Sequence, residues 1–439
     1  MDLLVDYDPF SDDDGEDATT MDAGLGGGLD IPHYPALAHW NSFDILGRIA
    51  RGGMAEVYLA REGTVEGRPR HMVLKRILPD KENDAEFIRM FKDEAAIATR
   101  LYHPNICHVY ECGTHSGQTF MTLEFVYGVT LRKLLTRLKS QGRLLDPRLA
   151  AYIFSRIAAA LNYIHSATDV HGRQLHIIHR DVSPHNVMVS YDGHIKLLDF
   201  GIAKTSARDS HTRAGVIKGK FGYLAPEQVK GQTLDPRVDQ FALGICLYEA
   251  LTGRRLYKFK EPVAALKAIV QDPVPSPRAV NPDVPEELDA IVQKMLQKKA
   301  GDRFPSCGHV QAALEQFLEQ SGGPVSPFEL RLLMDSLFDQ SERAPLGAHA
   351  GKLTGSFPAE TGSMSLATGM RSAPRAAASP TSSGRPSQPT VVASPRGKQG
   401  RAPQPPPPVA KSSNNKLWAG AAVLLLIVNV VVLWYLFLR

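Results

Sequence analysis

A chain of 439 residues is longer than one ordinary domain, and its 43% hydrophobic and 22% charged content suits a globular core with an average surface. The net charge of +4 is too small to argue for nucleic acid as a partner. The four cysteines, Cys107, Cys112, Cys246 and Cys307, lack the paired spacing of a metal site or a disulfide framework and fit a reducing compartment.

Residues 1–42 crowd Asp2, Asp6, Asp8, Asp12, Asp13, Asp14, Glu16 and Asp17 among glycines and few large apolar groups. Such a segment buries too little surface to offset chain entropy, so it reads as a disordered acidic tail, either solvating or docking on the adjoining folded domain. It also lacks the basic-then-apolar run of a secretory signal. From Phe43 the runs FDILGRIA, AEVYLARE, HMVLKRI, CHVYECG and QTFMTLEF, separated by Gly-containing turns, predict a small antiparallel sheet. One helix interrupts them between Asp84 and Leu101, with Phe87, Met90, Phe91, Ile97 and Leu101 as its apolar positions. After Thr130 the periodicity is mainly helical. The expected class is α+β, with a small sheet-rich lobe and a larger helical lobe forming one domain over residues 43–320.

Residues 321–342 add an amphipathic helix whose start is marked by Ser326, Pro327 and Glu329. It either packs on the large lobe or serves a partner. Residues 343–416 form a basic linker rich in Pro, Ala and Ser, with a flexible-coil span of about 50 Å. Residues 417–438, LWAGAAVLLLIVNVVVLWYLFL, carry no charge and are long enough for a bilayer core of about 30 Å. Trp418 lies near one end of that run and Trp434 and Tyr435 near the other, with Arg396, Lys398, Arg401, Lys411 and Lys416 before it. This pattern predicts a single-pass helix in the inner membrane with the folded domain on the cytoplasmic side. Asn429 at mid-depth either pairs helices or is merely tolerated. Only Arg439 follows the run, which leads to the expectation that no external sensor is present.

The chemistry is concentrated in a few stretches. The turn Ala50-Arg51-Gly52-Gly53-Met54-Ala55-Glu56-Val57 lies between two expected strands, where glycines let backbone N–H groups approach phosphate oxygens. Lys75 follows on the next strand, and Glu94 on the helix is placed to pair with it. Downstream, His179-Arg180-Asp181-Val182-Ser183-Pro184-His185-Asn186 precedes a short strand, then Asp192-Gly193, then IKLLDFG with Asp199. Two short strands bring Asn186 and Asp199 to one place, where their oxygens suit Mg²⁺. Asp181 stands nearby to orient a hydroxyl and accept its proton.

The series GGMAEVY, Lys75, Glu94, HRDVSPHN, DFG and APE, in this order, resembles the eukaryotic-like (Hanks-type) Ser/Thr protein kinases, and the GGMAEVY wording resembles their bacterial transmembrane branch. The resemblance implies the two-lobed kinase fold, ATP with Mg²⁺ (Mn²⁺ as a substitute), and transfer of the γ-phosphoryl group to protein Ser/Thr hydroxyls, the chain's own included. It implies nucleotide contacts from Ile49, Ala50, Arg51, Gly52, Gly53, Met54, Ala55, Glu56 and Val57, from Val73, Lys75 and Leu123, and from the backbone of Glu124 and Val126. By the same resemblance Lys75 and Glu94 pair, Asp181 is the catalytic base, and Asn186 and Asp199 hold the metal. It also implies that Glu227 pairs with Arg303 and that Asp239 braces the catalytic-loop backbone. The expected partners are protein substrates, the membrane through residues 417–438, and a second copy of the chain through self-association; nucleic acid is not one.

The sequence departs from that pattern in places. Ala50 and Ala55 stand where the usual loop has glycines, which is tolerable at negative φ. Ser183 stands where most Ser/Thr kinases carry Lys, while Lys220 stands where they carry Thr before APE. The paired change predicts that Lys220 returns the ammonium to the site and Ser183 supplies the hydroxyl. The segment between His165 and Ile178, SATDVHGRQLHII, is longer than usual, and Asp169, Gly172 and Arg173 predict a surface turn. Arg180 before Asp181 implies a phosphate on the activation segment; Thr212, then Ser210, are the candidates, with Ser206 in the same stretch. Two other readings are a pseudokinase scaffold and a small-molecule phosphotransferase. Retention of Lys75, Asp181, Asn186 and Asp199 speaks against the first, and the APE segment against the second. The Pro184 wording favours Ser/Thr over Tyr.

Overall fold

The computed structural model describes residues 34–65, 68–169, 171–199, 221–258 and 261–346. The acidic residues 1–33, Phe200, Gly201, Ser206, Ser210, Thr212, Lys220 and the stretches 347–416 and 417–438 lie outside them. Among the described residues no helix is long and apolar enough to cross a membrane.

The chain begins with a six-stranded antiparallel sheet: β1 (Ala38–Trp40), β2 (Phe43–Arg51), β3 (Ala55–Val65), β4 (Arg68–Ile77), β5 (Val109–His115) and β6 (Gln118–Glu124), in the order β1-β2-β3-β4-β6-β5. The sheet starts before Phe43, because Trp40 is fully buried and packs edge-on against Phe120 and His115 at 5.0 and 5.1 Å. Strand alternation sends Phe43, Ile45, Tyr58, Ala60, Met72, Leu74 and Phe120 into one apolar cluster with it. Helix α1 (Ala85–Ala98) crosses the sheet; Asp84 caps it by accepting from the Phe87 N–H at 3.1 Å, and Phe87, Phe91, Ala95 and Ala98 form its buried face.

The large lobe follows a linker at Phe125–Tyr127. It contains the three-stranded sheet β7 (Gly128–Thr130), β8 (Val187–Ser190) and β9 (Ile195–Leu197). Its helices are α2 (Leu131–Ser140), α3 (Pro147–His165), α4 (Pro226–Val229), α5 (Arg237–Thr252), α6 (Pro262–Gln271), α7 (Pro277–Val280), α8 (Glu286–Met295), α9 (Cys307–Gln320) and α10 (Pro327–Leu337). Thr130 caps α2 through the Lys133 N–H, and Asp146 caps α3 through the Arg148 and Leu149 N–H groups. Every residue of α5 from Val238 to Thr252 is buried, so this helix, apolar on most sides, occupies the middle of the lobe. Its first-turn carboxylate, Asp239, is thereby delivered to the interior.

Helix α10 starts where the Ser326 N–H donates to Glu329 Oε1 at 3.0 Å, and it lies on the turn between β8 and β9. Gly193 in that turn has φ +87°, and a Cβ there would sit 1.9 Å from the Pro327 carbonyl oxygen, so both backbone and space demand glycine. The segment before Ile177 forms a small turn closed by a Thr168–Gln174 bridge, with Arg173 Nε donating to Asp169 at 2.8 Å.

Candidate active site

The glycine-rich turn joins β2 to β3, with Ala50 opposite Val57 and Arg51 opposite Glu56. The Gly52 N–H donates to the Ala55 carbonyl at 2.9 Å, and neither Ala50 nor Ala55 is among the residues at positive φ. Ile49, Arg51, Gly52, Gly53 and Met54 are exposed to solvent along the turn. Glu56 differs from them. Its carboxylate is buried and accepts from Arg76 Nη2 at 3.0 Å and from the Tyr58 hydroxyl at 2.9 Å, while Arg76 also donates to Gln118 at 2.9 Å. The Glu56 side chain is thus committed to the sheet interior, and only its backbone faces the turn's chemistry.

Cross-strand partners share a face of a sheet. Lys75 lies opposite Val57, Val73 opposite Leu59, and Leu59 opposite Gly47, so these residues line one face of β2–β4. That face carries Lys75 across to Asp199, with Nζ donating to Oδ1 at 2.9 Å. Burial alone would pull the Lys75 ammonium down, but the charges of Asp199 and then Glu94 outweigh it and hold it above the ordinary lysine value. Leu123 and Glu124 end β6 beside the linker, with Leu123 opposite Val73 and Glu124 opposite Met72. Behind Glu124, the buried Cys107 thiol points at its carbonyl at 3.5 Å, and burial pushes that thiol far up and makes it inert. Lys196 on β9 reaches Glu124 Oε1 at 2.7 Å, an ion pair between the large-lobe hairpin and the linker region.

The loop from His179 to Asn186 is fixed from below by Asp239. Its two oxygens accept the backbone N–H groups of His179 and Arg180, each at 2.7 Å, and His165 Nε2–H at 2.8 Å. Burial would raise Asp239, but the His165 bond and charge, then His179 and the Arg180 amide, hold it below the usual carboxylate range. The brace sustains strain, because Arg180 has φ +62° and Asp199 φ +36°, both rare for residues with a side chain. His179 Nε2 donates to the Leu198 carbonyl at 3.0 Å while its Nδ1 accepts the Asp181 N–H at 3.3 Å. That pairing requires the neutral ring, and burial, the largest influence, lowers His179 in the same sense.

Asn186 Nδ2 donates to the Asp181 carbonyl at 2.7 Å, and its own carbonyl accepts the Leu198 N–H at 2.8 Å. These bonds tie Asp181, Asn186 and the residue before Asp199 into one unit. They also occupy the Asn186 amide nitrogen, and among the described residues its Oδ1 has no hydrogen-bond partner. Asn186 Oδ1 and the Asp199 carboxylate are hard oxygen donors of the kind Mg²⁺ takes. Ser183 is only 2% exposed, and among the described residues its Oγ has no hydrogen-bond partner. Among the described residues Arg180 Nε is likewise buried without one. Glu227 on α4 and Arg303 form a fork-to-fork pair at 2.7 and 2.8 Å in the interior.

His165, Glu56 and Lys196 are contributors that sequence reasoning passed over or placed differently. His165 ends α3, and its position in the last turn was the available signal.

A family model described as a protein kinase domain matches residues 43–316. The chain is 40% identical over 296 residues to the Tyrosine-protein kinase MasK of Myxococcus xanthus (strain DK1622), covering 67% of this chain and 46% of that protein. It is 36% identical over 314 residues to the Serine/threonine-protein kinase PknB of Mycolicibacterium smegmatis, covering 70% and 47%. To the Serine/threonine-protein kinase PrkC of Bacillus subtilis (strain 168) it is 34% identical over 273 residues, covering 62% and 40%. This chain spans less than half the length of each of these relatives.

Proposed function

This chain belongs to the protein kinase domain family, and from that premise we propose that it transfers the γ-phosphoryl group of ATP to serine and threonine hydroxyls of proteins. The observation that carries the proposal is the convergence of Lys75 on Asp199 and of Asn186 on Asp181 around one cleft.

In this mechanism Asp181 orients the acceptor hydroxyl and takes its proton as the oxygen attacks the γ-phosphorus. The bond to the β–γ bridging oxygen breaks, and ADP departs with that electron pair. Lys75, kept charged by Asp199 and Glu94, holds the α- and β-phosphates. Backbone N–H groups of the turn from Ala50 to Glu56 cover the phosphates, and the edge of β6 at Leu123–Val126 receives the base. Asn186 Oδ1 and Asp199 would hold Mg²⁺ (or Mn²⁺), which when bound neutralises charge on the phosphate oxygens.

Ser183 and Lys220 complete the reading. We assign to the Lys220 ammonium the bonds to Asp181 and the transferring phosphate, and to Ser183 the hydroxyl; a Ser183 Oγ that is buried and, among the described residues, without a partner supports this. Lys220→Ala retaining full transfer would remove this assignment. Arg180, buried at Nε beside Asp181 and without a partner among the described residues, supports docking of a phosphate on Thr212 or Ser210, placed there by the kinase itself. Mass spectrometry that finds no phosphate between Asp199 and Ala225 would remove that. The uncharged run 417–438 and its basic flank support a single-pass anchor in the inner membrane with the kinase on the cytoplasmic side. Extraction of the protein from membranes by alkaline carbonate would contradict it.

A second reading, tyrosine as the acceptor, is favoured by the name of the Myxococcus relative. Incubation of the full chain with γ-labelled ATP, followed by phosphoamino-acid analysis, separates the two. Labelled phosphoserine and phosphothreonine are expected; phosphotyrosine alone would overturn the Ser/Thr assignment.

A further inference from the structure

The chain does not leave the large lobe at the end of α10. Phe338 is fully buried, with its ring 6.1 Å from Tyr191 and the Arg137 guanidinium 5.2 Å away. Glu342 forms an ion pair with Arg137 on α2. Arg343 donates to the Phe338 carbonyl at 2.8 Å and to Asp335 at 2.8 Å, and lies 4.9 Å over the Tyr191 ring. Tyr191 in turn donates its N–H to the Tyr127 carbonyl of the linker at 2.9 Å. All these anchors are on the large lobe or the linker.

Three residues further on, Leu346 is 5% exposed and belongs to a cluster with Tyr34, Leu46 and Leu59, against which Phe125 of the linker packs. Leu46 and Leu59 belong to the small lobe. The Tyr34 phenol is hydrogen-bonded to the Leu346 backbone. A Cβ on Gly47 would stand 2.6 Å from Leu346 Cδ1, so Leu346 fills the room that Gly47 leaves. Gly47 and Leu59 lie on the same sheet face as Val57, Val73 and Lys75. Leu346 is therefore seated on the cleft-facing side of the small lobe, beside the linker. Neither Tyr34 nor the segment after α9 falls within residues 43–316 of the family match.

We propose that Phe338–Leu346 is a strap joining the two lobes across the linker, and that Leu346 is a positioning residue which holds the small lobe in its nucleotide-binding arrangement. A cleft between two lobes binds with its intrinsic affinity only in the fraction of molecules that are correctly closed. Buried contacts on both lobes raise that fraction before the nucleotide arrives. The inference rests on the reading of this cleft as a nucleotide site.

The test is a cycle in the full chain: Leu346→Ala, Gly47→Ala, the double variant, and Leu346→Met as the conservative replacement. Affinity for ATP with Mg²⁺, steady-state KM and kcat, and amide exchange of β2 and β3 without nucleotide are measured for each. Leu346→Ala is expected to weaken ATP binding about three- to tenfold through the lost closed fraction, with KM rising more than kcat falls and exchange around Leu46 and Leu59 quickening. Leu346→Met is expected to restore both. Gly47→Ala evicts the leucine side chain, so it should reproduce the defect and add little to Leu346→Ala. Effects that multiply in the double variant, unchanged binding in Leu346→Ala, or a loss confined to kcat would overturn the strap. Wild-type protein that fails to bind ATP would instead sink the nucleotide reading, and nucleotide-free exchange left unchanged by Leu346→Ala would sink the strap by itself.

Discussion

Replacing Asp239 by Asn keeps the shape of the side chain and removes one acceptor. Asp239 is 1% exposed and serves three donors: the His179 and Arg180 amides and His165 Nε2. An asparagine oxygen at the Oδ2 position would keep the His179 and His165 bonds but turn its NH₂ toward the Arg180 N–H. The charged hydrogen bond lost there is worth about 1.5–3 kcal/mol, and a buried amide left unsatisfied costs about 1–3 kcal/mol more. A total near 4 kcal/mol corresponds to a fall in Tm on the order of 10 °C for a domain of this size. The larger effect falls on chemistry, because Arg180 at φ +62° is released from its brace directly before Asp181. A misplacement of about 1 Å in a catalytic group can cost on the order of 100-fold. Calorimetry and phosphoryl transfer to a generic protein substrate measure the two effects. An Asp239→Asn variant with Tm within about 2 °C of wild type and transfer within about threefold would refute the reasoning.

Other outcomes are expected from the same contacts. Arg303→Met leaves the Glu227 carboxylate buried and unpaired, so it is expected to cost about 3–5 kcal/mol, read by urea denaturation. In the small lobe, Glu56→Ala takes the carboxylate counter-charge from the buried Arg76 and is expected to cost a similar amount, whereas Glu56→Leu with Arg76→Met and Tyr58→Phe should come within about 1–2 kcal/mol of wild type. A triple variant as unstable as the single one would contradict that account. His179 is held below its ordinary value of 6.5, so under that pH the unfolded chain takes up a proton that the folded chain does not. Stability should therefore fall as pH drops below 6.5, and Tm measured from pH 7 to 5 should fall less steeply in His179→Asn.

The strands from Phe43 to Glu124 and the helix α1 were legible because alternation, Gly turns and helical spacing are local signals. Strand β1 was not: three residues after an acidic, Gly-rich tail carry no pattern, and their order comes from Trp40 meeting Phe120 eighty positions away. Chain order named Lys75, Asp181, Asn186 and Asp199 as candidates, and tertiary structure supplies what order cannot. His165 read as part of a loop excursion, yet it bonds to Asp239 at a separation of 74 residues. Glu56 read as part of the nucleotide turn, yet Arg76 on the neighbouring strand claims its carboxylate. Glu94 was placed to pair with Lys75 and its charge does act on that ammonium, while the hydrogen bond from Lys75 to Asp199 was not anticipated.

The central claim is that the unit formed by Asp181, Asn186 and Asp199 performs phosphoryl transfer. It is tested most directly by following label from γ-labelled ATP into protein, comparing wild type with Asp181→Asn. Incorporation by the wild type, lost by at least about 100-fold in the variant while ATP still binds, is the predicted result. Equal incorporation by both proteins would contradict the account.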